Sequence, residues 1–221
     1  MEFANHADIN RAVFVVDGPA QISRNLRLSD LATFPCVVIL GEPGIGKTHA
    51  LKKLAIDAKS SIVEVIDFTV SSTGAEVFLD ALDEYMAYEQ SLLELSRILR
   101  TVSRWRISCR TESWSPTYVS KALRTAAKDE IVVVKLLPLD VFEQIALLEH
   151  YRCLEPLEFL RHANEAGVST LTKSPLSLYL LHRIVTATDA WPRSKRDCFI
   201  QQSTNWAANI TTSTRKPGAS L

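Results

Sequence analysis

The stretch GEPGIGKT, residues 41–48, constrains this chain more than any other feature. It follows FPCVVIL (34–40), a short, almost wholly apolar and β-branched run that suits a strand buried on both faces of a parallel sheet. It precedes residues 49–58, where Leu51, Leu54, Ala55 and Ala58 recur at helical spacing. The pattern G-x-x-x-x-G-K-[ST] needs its glycines because positive φ lets the backbone curl its N–H groups inward. Those amides and the following helix N-terminus attract phosphate. Lys47 is then expected to reach the β- and γ-phosphates of a nucleotide, and the Thr48 hydroxyl to ligate Mg²⁺. Gly41, Glu42, Pro43, Gly44, Ile45, Gly46, Lys47, Thr48 and the adjoining His49 form the expected nucleotide-contact set. The plainer alternative is an incidental glycine-rich turn, against which the strand-before, helix-after context argues.

Further strands are predicted at 12–16, 62–68 (IVEVIDF), 76–80 (EVFLD), 105–109 and 131–136 (IVVVKL). Helices are predicted at 91–102, with Leu92, Leu95, Ile98, Leu99 and Val102 on one stripe, and at 118–127. Alternating strands and helices predict an α/β core with a mainly parallel sheet flanked by helices. After Pro138 the pattern turns all-helical, over 141–151, 156–166 and 175–186, with Asp140 as an N-cap and Gly167 near a C-cap. The expected organisation is a lead segment 1–30, a nucleotide-binding core 31–138, a small all-α lid subdomain 139–200 and a polar, disordered tail 201–221.

Charge and cysteine usage narrow the function classes. Lys+Arg and Asp+Glu are 25 each, so the chain lacks the basic excess of a broad nucleic-acid binder. Cys36, Cys109, Cys153 and Cys198 are too scattered for a zinc site or a disulfide framework, which fits reduced thiols in the cytoplasm. The N-terminus carries no basic stretch leading into an apolar one, and the longest apolar runs are far too short to span a bilayer. His49, His162 and His182 lack the neighbours of a metal site, and Trp105, Trp114 and Trp191 read as packing residues.

Two further constellations point to chemistry. In VFLDALDE (77–84) an apolar strand delivers Asp80 at its C-terminal end, the ligand-binding edge of an open α/β sheet. Asp80 is therefore expected to partner Mg²⁺, directly or through water. Either Asp83 or Glu84 is expected to orient or activate an attacking water, with Glu84 preferred. A solvated acidic turn that caps a helix is the plainer alternative. In RWRISCRTE (104–112), Arg110 reaches the same edge if its strand lies beside the phosphate-loop strand. There it would sense a γ-phosphate; a surface ion pair, for instance with Glu112, explains it equally well.

Together, in this order, these motifs resemble the STAND class of P-loop ATPases, and within it the NACHT-like bacterial members. FLDALDE (78–84) resembles the NACHT acidic signature, with Ala81 standing where that family more often has glycine. ISCRTESW resembles the sensor strand that ends in arginine, here Arg110, and KSPLSL (173–178) resembles the proline motif that makes Pro175 a base-pocket candidate. A proline in a first helical turn is the plainer reading of Pro175. WPRSKR (191–196) resembles the lead into the next family helix. The resemblance covers residues 31–200. It implies an ATP hydrolase of low turnover that uses ATP/ADP and Mg²⁺, oligomerises through the nucleotide-binding domain and serves signalling, commonly in antiphage defence. It also implies sensor and effector modules, which are expected on other chains because this one reads as truncated or split. A truncated, non-enzymatic remnant is the second hypothesis and a small P-loop kinase the third. The kinase fits less well, since the acidic signature and the arginine-ended strand suit water activation better than acceptor binding. One feature departs from the family. The link 69–75 between two predicted parallel strands is shorter than the dozen or so residues a crossover needs. Either this connection is deleted, or residues 62–68 do not pair as expected.

Overall fold

The computed structural model describes residues 9–69, 76–87, 92–127, 130–188 and 190–192. The expected tail 201–221, positions 193–196 of the WPRSKR stretch and positions 70–75 of the short link lie outside the described residues. The chain divides into two compact units, Met1–Pro138 and Leu139–Leu221.

The first unit is built on a seven-stranded sheet. In chain order its strands are β1 (Ala12–Asp17), β2 (Asn25–Arg27), β3 (Cys36–Gly41), β4 (Ile62–Glu64), β5 (Glu76–Asp80), β6 (Arg104–Arg110) and β7 (Ile131–Leu136), arranged β2-β1-β7-β3-β6-β5-β4. The central ladders β7-β3, β3-β6, β6-β5 and β5-β4 are all parallel, whereas β1 pairs antiparallel with both β2 and β7. The sheet is thus mainly parallel, as the alternating pattern predicts.

Alternation along each strand sends successive side chains to opposite faces. Cys36, Val38 and Leu40 of β3 join Trp105, Ile107 and Cys109 of β6 in one core, covered by α2 (Leu82–Ala87), α3 (Leu92–Leu99) and α4 (Val119–Ala126). Val37 and Ile39 face the other core, with Val132 and Val134 of β7, against α1 (Lys47–Asp57) and a 3-10 segment over Leu28–Thr33. Helix α1 buries Ala50, Leu51, Leu54 and Ala55; Leu51, Leu54 and Ala55 belong to the expected stripe, whereas Ala58 follows the helix end and is exposed. Fully burying a side chain the size of Leu51 stabilises by roughly 1.5–3 kcal/mol.

The structure corrects the expectation for residues 62–68. The strand stops at Glu64, and Val65–Asp67 form a 3-10 turn. Val65 and Phe68 are three apart, and with three residues per turn both reach the core while Ile66 is 44% exposed. Ending the strand there lengthens the crossover to residues 65–75, and β4 pairs parallel with β5 over Ile62↔Phe78, Val63↔Leu79 and Glu64↔Asp80. The strand does pair, and the connection becomes eleven residues, close to the dozen or so a parallel crossover needs.

The second unit contains α5 (Val141–His150), α6 (Pro156–Glu165) and α7 (Pro175–Thr188). Asp140 caps α5 as expected: its Oδ1 accepts from the Glu143 N–H (2.8 Å), and Glu143 Oε2 accepts from the Asp140 N–H (3.1 Å). Gly167, just past α6, has φ 73°, the left-handed conformation that ends helices. Leu148, Ala163, Leu178 and Leu181 are fully buried within this unit. Among the described residues, no helix is long and apolar enough to cross a membrane.

At the N-terminal ends of the parallel strands, Arg106 of β6 is 1% exposed and forms an ion pair with Glu76 of β5. Its guanidinium also donates to the carbonyls of Phe34 (3.0 Å) and Leu31 (3.2 Å) and lies over the Phe78 ring. Burial lowers its affinity for the proton, and Glu76 counters that. Removing one member of a buried pair strands the other charge, at a cost of about 3 kcal/mol. Glu76→Ala is therefore expected to lower unfolding free energy by about 3 kcal/mol in urea titrations, with little change in m-value; a loss under 1 kcal/mol would contradict this account of the pair.

Candidate phosphate-binding site

The loop between β3 and α1 owes its shape to its glycines. Gly44 and Gly46 have φ of 78° and 100°, and the Ile45 N–H donates to the Glu42 carbonyl (3.2 Å) to close the turn. At Gly41 a Cβ would stand 2.5 Å from Ile45 Cγ2 and 3.3 Å from Lys47 Cγ, so any larger residue would displace the loop. Ile45 is buried and anchors the loop into the core beneath α1. Glu42 and Pro43 are exposed, and Glu42 pairs with Lys135 of β7 (3.5 Å). Thr48 is half-buried and His49 exposed on the first turn of α1.

Lys47 curls back over the loop, its Nζ donating to the carbonyls of Gly41 (3.0 Å) and Glu42 (3.3 Å). Burial pulls its pKa below the ordinary lysine value; Asp83 and Asp80 oppose that pull, and Arg110 adds to it. Lys47, Asp80, Asp83 and Arg110 thus share one electrostatic neighbourhood. The register explains why. Gly41 pairs with Arg110 across β3–β6, and Leu79 with Ile107 across β6–β5, so the motifs end at one edge of the sheet. Cys109, fully buried there, is pushed up to about 12 by burial and stays a neutral thiol.

The carboxylates separate by what holds them. Asp80, last residue of β5, accepts a hydrogen bond at Oδ1 from the Ser108 hydroxyl. The Asp83 side chain is 7% exposed, and both its oxygens are engaged by Arg110: the backbone N–H at 3.0 Å and Nε at 2.8 Å. Glu84 is 59% exposed, with Arg110 Nη2 at 3.8 Å. Arg110 therefore pairs with the acidic segment across the strand gap. Ala81 turns the chain from β5 into α2 with φ 62°, a left-handed conformation that favours glycine.

Two participants are not flagged by the sequence. Arg11, 7% exposed, donates from Nη1 to the Ile45 carbonyl (2.9 Å) and from Nη2 to the Leu137 carbonyl (2.6 Å), bracing the loop from below. Ser108 is fully buried beside Asp80. Both are single polar residues at the rim of an apolar run, a weak signal without the sheet order. Pro175 lies in the second unit, where it opens α7 and its missing N–H costs nothing.

These residues suit a nucleotide with Mg²⁺: a glycine-shaped loop that a Cβ would fill, a lysine folded over it, a hydroxyl on the first helical turn and a carboxylate at the adjoining strand end. Together with the strand order they give the first unit the fold of a P-loop NTPase core.

No protein-family model and no curated protein matches the chain. Solved structures do. Domain III of the replication initiation protein DnaA from Thermotoga maritima aligns over 78% of this chain and 87% of that one, at 14% identity and a TM-score of 0.49. The Thermotoga maritima RuvB Holliday junction branch migration motor aligns over 80% of this chain and 65% of that one, at 14% identity and a TM-score of 0.38.

A left-handed backbone costs a residue with a Cβ roughly 1–2 kcal/mol, and glycine's extra freedom when unfolded returns about 0.4–1 kcal/mol of that difference. Ala81→Gly is accordingly expected to raise stability by up to about 1 kcal/mol, while Ala81→Val loses about 2 kcal/mol because a β-branched side chain fits this region worst. Thermal melts of the two variants in parallel check the pair, and a destabilised Ala81→Gly would overturn it.

Proposed function

We propose that this chain binds ATP with Mg²⁺ at residues 41–48 and hydrolyses it slowly, as the nucleotide module of a STAND/NACHT-type signalling ATPase. The observation that carries this reading is the convergence of Lys47, Asp80, Asp83 and Arg110 at one edge of the sheet. Backbone amides of the loop and Lys47 would hold the phosphates, and Thr48 and Asp80 the metal; bound Mg²⁺ supplies charge neutralisation at the phosphate oxygens.

The remaining acidic residues take different roles. Asp83 has both oxygens committed to Arg110, so it serves to orient that arginine. Glu84 is exposed and bound only loosely, so it is the residue free to accept a proton from water. Arg110, held from two sides, would exchange its Glu84 contact for a phosphate oxygen. A base that stands in open solvent and competes with an arginine suits slow turnover.

The left-handed turn at Ala81 supports the NACHT-like assignment, because the position where those proteins more often carry glycine is here a position with a glycine's conformation. Assembly with copies of itself, partner modules on other chains, a base-pocket role for Pro175 and a part in antiphage defence follow from that resemblance and belong to the proposal. The parallel pairing of β4 with β5 favours a competent site over the decayed remnant.

Titration with a fluorescent ATP analogue and Mg²⁺ is expected to saturate, and Lys47→Ala to abolish binding. Glu84→Gln should keep binding but lower hydrolysis by about 10²-fold or more, while Asp83→Asn should lower it less. A folded parental chain that shows no saturable binding would sink the proposal, and label transferred from ATP to a small molecule would revive the kinase reading.

A further inference from the structure

Ser108 occupies the middle of the site without any role in the nucleotide contacts proposed above. It lies on β6 between the phosphate-loop strand β3, where it pairs with Ile39, and the acidic strand β5. It is fully buried in a strand whose neighbours Ile107 and Cys109 are also fully buried. A lone hydroxyl in such surroundings must be satisfied, since leaving it unpaired costs its desolvation with nothing in return.

Both of its capacities are used. The Ala81 N–H donates to Ser108 Oγ at 3.1 Å, and the hydroxyl donates to Asp80 Oδ1. A serine hydroxyl carries one proton. With a backbone N–H occupying an acceptor lone pair, that proton is directed at the carboxylate, and the carboxylate is its acceptor. Ser108 therefore ties together two consecutive residues with different tasks: Asp80 at the strand end and Ala81 at the turn that starts α2. One Asp80 oxygen, Oδ1, is thereby fixed.

We propose that Ser108 is a positioning residue, whose hydroxyl holds the Asp80 carboxylate in the orientation that receives the divalent cation. The proposal rests on the nucleotide site described above and extends it to the metal. Groups that orient a ligating side chain typically change metal affinity by about 10–100-fold when removed. The phosphate contacts of the loop come from backbone amides and Lys47, which Ser108 does not touch, so nucleotide affinity without metal is expected to be insensitive to it. A merely structural serine would instead weaken binding equally with and without the cation.

The test measures a fluorescent ADP analogue binding to the full chain in EDTA and again in saturating Mg²⁺, with a parallel Mn²⁺ titration of the ADP-bound chain by electron paramagnetic resonance. For the parental chain, Mg²⁺ is expected to tighten binding. Ser108→Ala should bind within about twofold of the parental chain in EDTA, lose about tenfold of the Mg²⁺-dependent tightening and bind Mn²⁺ about tenfold more weakly. Ser108→Thr retains the hydroxyl and should recover most of the metal effect. Each variant serves as its own control, because a folding defect lowers both arms together. Full Mg²⁺ tightening and unchanged Mn²⁺ affinity in Ser108→Ala would overturn this inference alone. A parental chain that binds the analogue under neither condition would overturn it together with the reading it rests on.

Discussion

The parallel ladder that joins β3, β6 and β5 is the constraint on which everything else in the first unit depends. Parallel strands run with their C-terminal ends together, so Gly41, Arg110 and Asp80 emerge at one edge although they lie far apart in the chain. The register is held from both sides. Alternate residues of each strand are buried in opposite cores, and a slip of one residue would send every one of them to the wrong face. The position of the site is thus enforced by the apolar core, and its polar residues need supply little of the energy that holds them there.

The two ends of that ladder handle charge differently. At the N-terminal end, Arg106 is buried and needs Glu76 and the carbonyls of the 28–34 segment to remain charged in the interior. At the C-terminal end, Lys47 and Arg110 face Asp80, Asp83 and Glu84 in a half-buried setting. There, burial sorts the carboxylates. Asp83 is withdrawn from water and must be fully hydrogen-bonded; Glu84 is exposed and holds only a long contact to Arg110. The same local sequence, Asp-Glu, yields a buried residue and an exposed one on α2, which follows the left-handed Ala81.

A P-loop core hosts many activities, so the fold sets a chemistry of phosphate contacts and the surrounding residues decide what is done with it. In this chain those residues are Arg110 across from Asp83, Ser108 beneath Asp80, and Arg11 beneath the loop. Each acts by fixing another group.

Much of this was legible without coordinates. The strands at Glu76–Asp80 and Ile131–Leu136 have the bounds their apolar patterns predict, and the helices that pack on the sheet follow their 3.6-residue stripes. The phosphate loop is recognisable because its glycines answer a local backbone requirement that holds wherever the segment sits. Other features depended on neighbours remote in sequence: the early end of β4, whose valine and phenylalanine at three-residue spacing serve a 3-10 turn as well as a strand; the β1–β2 hairpin at the sheet's antiparallel side; and the short helix α2. The division of labour between Asp83 and Glu84, and the grip of Ser108 on Asp80, belong to this second group. Local periodicity and backbone sterics are properties of a few consecutive residues and so are written in the sequence. Which carboxylate is buried, and which hydroxyl lies beside it, is decided only when the strand order brings residues some thirty positions apart into one row.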